Sequence, residues 1–247
     1  MSFVSTRLGQ FKYFDQQLGR PVWSGKRILD FGGNYGNLLR DPDGCSIDQD
    51  KYWCIDVSRD AIRMGKESFP KSHWIFYDRH NVEFNPDGIK DLGIPNTSEE
   101  FDFILAYSVF THTSKTEMID LVDQLRRVMA NRGVLAFTFL DPQWNGSEED
   151  PFFFGSNMKW RLHVNKYEHS EIDIDSMLTK ARGAKWLTLA GQDLYVDDEQ
   201  PPEQSLTGRR AYTVLCDPEH MKTIFPEAEI LPPVAPERQH CCVIRKI

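Results

Sequence analysis

Apolar runs bounded by turn residues alternate with helical patterns through the first 140 residues, and no other feature constrains the fold as much. This is the order expected of a parallel sheet covered by helices, because a parallel neighbour is reached only through a crossover. The pattern predicts strands at Arg27 to Phe31, Trp53 to Val57, Trp74 to Tyr77, Phe103 to Ala106 and Gly133 to Leu140. The best helix lies between the last two. Ser114 and Glu117 have capping-box spacing, and Met118, Leu121, Val122, Leu125, Val128 and Met129 form a stripe, stopped by Asn131-Arg132-Gly133. A shorter helix is expected after the second strand, capped by Ser58 and ended by Pro70.

After Leu140 the rhythm breaks. Residues 141–206, rich in aromatics, acids and prolines, read as an insertion with a helix near Ser170 to Lys180 and a strand at Trp186 to Leu189. A second strand, Ala211 to Leu215, is expected to follow across the polar loop DDEQPPEQS. Asp217-Pro218-Glu219 starts a helix, and Glu229 to Leu231 with Cys241 to Ile244 reads as a closing strand pair. The expected organisation is one domain, 1–247, with an N-terminal helical cap over 1–24 and the insertion over 141–206 as a lid. Phe11, Tyr13 and Phe14 read as a packing staple for the N-terminal helix rather than a substrate wall.

Composition narrows the partners. A net charge of -8 disfavours nucleic acid or an anionic membrane as the main partner, and points to a small molecule. No run approaches the ~18 apolar residues of a membrane span, and the N-terminus has no signal-peptide pattern, so a cytoplasmic protein is expected. Five cysteines form no C-x-x-C pair, in keeping with free thiols, and no motif demands a metal. Cys241 and Cys242, adjacent in a strand, are expected on opposite faces. These features leave a homodimer open.

The chemistry is concentrated in Arg27-Ile-Leu-Asp30-Phe-Gly32-Gly33-Asn34-Tyr-Gly36-Asn37, a strand running into a glycine turn and then a helix. Such a turn brings backbone close to a ligand and points helix N–H groups at it. A dinucleotide G-x-G-x-x-G starting at Gly32 fails, since Asn34 and Asn37 stand where glycines are needed. Read as acid-x-Gly-x-(Gly)-x-Gly, the positions are Asp30, Gly32, Asn34 and Gly36, with asparagine tolerating a positive φ.

Here the chain resembles the class I S-adenosylmethionine-dependent methyltransferases, over most of its length apart from the insertion. The resemblance implies a Rossmann-like, doubly wound α/β fold with a mostly parallel seven-stranded sheet whose last strand is antiparallel. It also implies S-adenosylmethionine as cofactor. Asp56, at the end of Trp53-Cys-Ile-Asp56-Val57, takes the position of the acid that accepts both ribose hydroxyls, and Asp78 that of the residue receiving the adenine amino group. Gly33 and Val57 complete the cofactor set, with Asp30 touching the ligand or ordering the turn. The stretch Ala106-Tyr107-Ser-Val-Phe-Thr-His112 looks like the S-V-F-T-H segment of bacterial small-molecule members, and lacks the N/D-P-P-Y/F of nucleic-acid amino-methyltransferases.

The expected reaction is in-line methyl transfer to a small, flat aromatic acceptor, phenol- or indole-like, of the kind handled in secondary metabolism. The insertion aromatics, among them Trp144, Phe152, Phe153, Phe154 and Trp160, are either the acceptor wall or a small core. His112 is the leading candidate base, since imidazole titrates near neutrality, with packing or helix capping as its bland alternative. Tyr107 is the runner-up through its hydroxyl, or a cofactor contact through its backbone. A nucleotide-cofactor oxidoreductase and a non-catalytic S-adenosylmethionine-binding protein are the competing classes.

Overall fold

The structure, a computed structural model, describes residues 9–81, 84–143, 173–190, 193–199, 201, 212–235 and 237–247. In chain order its elements are α1 (Gln10–Gln17), β1 (Ile28–Phe31), α2 (Asn37–Arg40), β2 (Tyr52–Asp56), α3 (Arg59–Ser68), β3 (His73–Phe76), β4 (Phe101–Ala106), α4 (Lys115–Arg127) and β5 (Met129–Leu140). They continue with α5 (Ile174–Ala181), β6 (Trp186–Ala190), β7 (Asp193–Val196), β8 (Tyr212–Cys216), α6 (Pro218–Ile224), β9 (Glu229–Leu231) and β10 (Gln239–Arg245).

Strands β3-β2-β1-β4-β5 run parallel, and β10 pairs antiparallel with β5 and with β9, giving a seven-stranded core sheet. Alternate residues of β1 face opposite ways: Leu29 and Phe31 join the cluster with α4 and α6, while Ile28 packs with Phe11, Tyr13 and Phe14 of α1. Helices therefore cover both faces, which is the doubly wound Rossmann-like arrangement. Phe11, Tyr13 and Phe14 are buried core, as the staple reading anticipates. Cys241 and Cys242 fall in the two different clusters, on opposite faces.

Local signals act where the sequence places them. Ser58 accepts from the Ala61 N–H at 3.2 Å and Ser114 from the Glu117 N–H at 3.2 Å, and each side chain starts its helix. The end of α4 differs from expectation. The helix stops at Arg127, and Met129 already pairs with Phe101 in β5. The residues expected to stop the helix instead form a bulge, because Phe101 opposes Met129 and Phe103 opposes Val134. Arg132 takes φ 61° there, while Gly133 sits too close to the Phe101 carbonyl for a Cβ.

Three further strands lie beyond this seven-stranded core: β6 and β8 fall where strands were expected at Trp186 to Leu189 and Ala211 to Leu215, and β7 was not expected. β6 pairs antiparallel with both β7 and β8, and β8 meets β5 at Leu215 and Leu140, so this extension prolongs the same sheet. Leu187, Leu189, Leu194 and Leu215 form its core with Ala181 of α5. The described part of the insertion is thus sheet and helix. Most of the stretch assigned to the lid, including Trp144 to Trp160, lies outside the described residues, as do residues 1–8 of the cap. Among the described residues no helix is long and apolar enough to cross a membrane.

Candidate active site

A cavity of about 340 Å³ opens at the C-terminal edge of the core sheet. It sits where β1 and β4 lie side by side and their connections leave in opposite directions, the position at which open α/β sheets bind ligands. Gly32 and Asn34 line it from the turn after β1, Asp56, Val57 and Ser58 from the end of β2, and Tyr107, Ser108, Val109 and His112 from the segment after β4.

The turn after β1 is built by backbone conformation. Gly32 has φ 72°, Asn34 φ 55° and Gly36 φ 89°, all left-handed. At Gly32 a second constraint acts, because a Cβ would lie 2.4 Å from Val109 Cγ2. The asparagine substitution in the glycine pattern is accommodated as the sequence suggested, with Asn34 Oδ1 accepting from the Tyr35 N–H at 2.9 Å.

Asp56 is tied to this turn. Its Oδ2 accepts from the Asn34 N–H at 2.8 Å and its Oδ1 from the Ser58 N–H at 2.8 Å. Burial raises this carboxyl above the usual carboxylate range, and the N–H groups of Ser58, Asn34 and Val57 offset part of that rise. The carboxylate, with about four acceptor sites, keeps capacity for a ligand hydroxyl.

Asp30 lies elsewhere. It is buried beneath Gly33, does not line the cavity, and accepts from the Tyr52 hydroxyl at 2.5 Å. Burial pushes its carboxyl up to about 7, against the lowering effect of the Tyr52 hydrogen bond and with a further upward push from the Asp56 charge. In this position it orders the turn from below. Gly33 and Gly36 also stand outside the lining. Asp78 faces away from the cavity, pairing with Arg59 at 3.6 Å and accepting from Asn85 Nδ2 at 3.2 Å.

On the opposite wall, His112 Nδ1 lies 3.0 Å from the Tyr212 carbonyl. A carbonyl only accepts, so Nδ1 carries a proton and donates it to Tyr212. Phe84 stands edge-on to the imidazole, ring centroids 5.5 Å apart. The Tyr107 hydroxyl donates to Glu237 Oε2 at 2.7 Å, and its ring packs against Tyr13 and Phe14.

Several lining residues carried no legible signal. Arg79 is 4% exposed and ion-paired to Glu117 at 3.1 Å, and it donates to the Leu92 carbonyl at 2.6 Å. In sequence it stands beside Asp78 and reads as that residue's surface partner. Gln10 of α1, Asn81 and Glu117 also reach the cavity, and only the N-terminal cap reading pointed toward the first.

Residues 29–135 match a family model described as a methyltransferase domain. No curated protein matches the chain at a significant level. Among solved structures, a glycopeptide N-methyltransferase, MtfA, complexed with S-adenosylhomocysteine is similar with a TM-score of 0.53 at 9% identity, over 98% of this chain and 91% of that one. An S-adenosylmethionine-dependent methyltransferase from Mesorhizobium loti gives a TM-score of 0.53 at 12% identity, over 96% and 98%. The pyocyanin biosynthetic protein PhzM gives 0.50 at 12%, over 97% of this chain and 55% of that one. At such identities the likeness speaks for the fold. The matched region, residues 29–135, resembles a methyltransferase domain, and the similar structures share its fold.

Proposed function

We propose that this domain transfers a methyl group from S-adenosylmethionine to a small aromatic acceptor, phenol- or indole-like, and that the transfer occurs in the cavity between β1, β2 and β4. The observation that carries the proposal is that Asp56, held by the Asn34 and Ser58 N–H groups, and His112, held by the Tyr212 carbonyl, face one cavity. The bound cofactor supplies an electrophilic methyl on a positively charged sulfur.

The chain's own residues have four tasks. Asp56 accepts the ribose hydroxyls through the lone pairs its backbone donors leave over. The Gly32 to Gly36 turn lets the backbone approach the ligand closely. His112 takes the proton of a hydroxyl or ring N–H on Nε2 as the acceptor attacks, and the Tyr212 carbonyl stabilises the imidazolium so formed. Tyr107, Val109 and Phe31 make the wall that excludes water and aligns the acceptor. We assign Asp30 to ordering the turn and Gly33 and Gly36 to shaping it. The thiols of Cys54, Cys216, Cys241 and Cys242 are unbridged, in keeping with work in a reducing cytoplasm on a metabolite of secondary metabolism.

Calorimetry with S-adenosylhomocysteine and with NAD tests the cofactor, and turnover against a panel of phenols, indoles and amines tests the acceptor. Binding of the first and not the second is expected, with methylation of a phenol or indole. NAD binding in its place would overturn the reading.

A further inference from the structure

Ser108 is a non-glycine residue with φ 57° in the wall of the cavity, two residues past the end of β4. A β-carbon disfavours this conformation, so neighbouring groups must hold it. The main holder is buried in the sheet. β4 and β5 are in parallel register up to Ala106 and Phe137, and one residue further along β5 lies Thr138, fully buried. Its Oγ1 accepts from the Ser108 N–H at 2.7 Å and donates to Gln239 Oε1 at 2.6 Å. Gln239 stands two residues before Cys241, the residue opposite Thr138 on β10, so the two side chains share a face of the sheet. The Ser108 carbonyl in turn accepts from Thr111 Oγ1 at 3.0 Å.

The conformation at Ser108 matters because of the residues on either side of it. Val109 comes next, and its Cγ2 occupies the space beside Gly32 where a Cβ would stand. Tyr107, on the other side, also lines the cavity. A change of φ at 108 therefore moves both walls that face a bound ligand. Gln239 also fixes the hydrogen bond that Thr138 makes: its oxygen accepts the Thr138 proton, which leaves the threonine lone pairs for the Ser108 N–H.

We infer that Thr138, oriented by Gln239, is a positioning residue for methyl transfer: its hydroxyl holds Ser108 in the left-handed conformation that seats Tyr107 and Val109 against the ligand. This rests on the proposed cofactor site and goes beyond it, since Thr138 itself does not line the cavity. The role depends on backbone conformation, so glycine at 108, which adopts positive φ unaided, removes the need for it.

The test is a double-mutant cycle read by S-adenosylhomocysteine affinity. Thr138→Val removes the hydroxyl at nearly constant volume and is expected to weaken binding about tenfold in the Ser108 chain. In a Ser108→Gly chain the same change is expected to cost less than about twofold. Thr138→Ser, which keeps the hydroxyl, restores affinity and remains informative should the valine variant fold poorly. Equal losses in the two backgrounds, or full affinity in Thr138→Val, would overturn the inference. A wild-type chain that binds no S-adenosylhomocysteine would instead remove the cofactor reading on which the cycle depends.

Discussion

The two walls of the cavity are put together differently. On the β1–β2 side the decisive contacts are close in sequence: Asp56 to Ser58 across 2 residues, and Asn34 to Asp56 and Tyr52 to Asp30 across 22 each. On the β4 side they are remote: His112 to Tyr212 across 100 residues, Thr138 to Gln239 across 101 and Tyr107 to Glu237 across 130. A wall made by one strand-turn-helix unit and its neighbour is written into a short motif. A wall that needs β5, β8 and β10 to arrive from elsewhere is not. The matched family region, residues 29–135, ends before the distant partners of the second wall appear.

If the first wall is self-contained, its buried acid governs its stability. Asp30 is expected to give the largest effect. Its folded pKa of about 7 lies above the ordinary value of 3.8, so between these pH values the folded chain keeps a proton that the unfolded chain has lost. Stability from this group is therefore full below pH 4 and falls as pH rises to 7, by about 4 kcal/mol. Asp30→Asn keeps an acceptor for the Tyr52 hydroxyl and is expected to flatten that decline in urea unfolding between pH 4.5 and 8. Parallel profiles for the two proteins would show that the turn does not rest on this acid.

The second wall is sharpened by kinetics. His112→Ala is expected to lower kcat by about 10²-fold or more, with S-adenosylhomocysteine affinity little changed, if the side chain takes the acceptor proton as proposed. Near wild-type turnover would assign proton removal to another group. Asp56→Ala should do the converse, weakening cofactor binding by about 1.5 to 3 kcal/mol in a chain that still folds with a somewhat lower melting temperature, as expected for charge-assisted hydrogen bonds to the ligand. The comparison fails if both variants lose cofactor affinity alike.

The same division explains how much of the molecule was legible in its sequence. Strands β1 to β5, the Ser58 and Ser114 caps and the closing β9–β10 pair were legible because apolar alternation and capping are local signals. The end of α4 was not. The apolar pattern of Val128 and Met129 is the same whether they face the core from a helix or from a strand, and pairing with Phe101 decides the matter. Strand β7 was hidden for a similar reason: Asp193-Leu-Tyr-Val is short and acquires its identity by pairing with β6. In the site, the Gly32–Asn34 turn could be named from its spacing, and Asp56 from the family resemblance. The burial of Arg79 could not, since its partner Glu117 is 38 residues away and its charge suggests a surface. The left-handed backbone at Ser108 left no trace either, because serine is not a residue that announces positive φ.

Asp78 is the residue on which motif and structure part, and it carries the smallest expected effect. By its place after β3 it is the acid that would meet an adenine amino group, yet it points to Arg59 and Asn85, and the Arg59 guanidinium is itself largely exposed. An exposed pair of this kind contributes about 0 to 1 kcal/mol. Asp78→Asn is accordingly expected to change S-adenosylhomocysteine affinity by less than about threefold and stability by no more than about 0.5 kcal/mol. Adenine would then be held by the shape of the cavity beside Val57 and Leu121, with Arg79 fixed against Glu117 as part of its wall. A tenfold loss of affinity, absent with 5′-substituted analogues whose base lacks the amino group, would restore Asp78 to the ligand and extend the locally encoded wall by one strand.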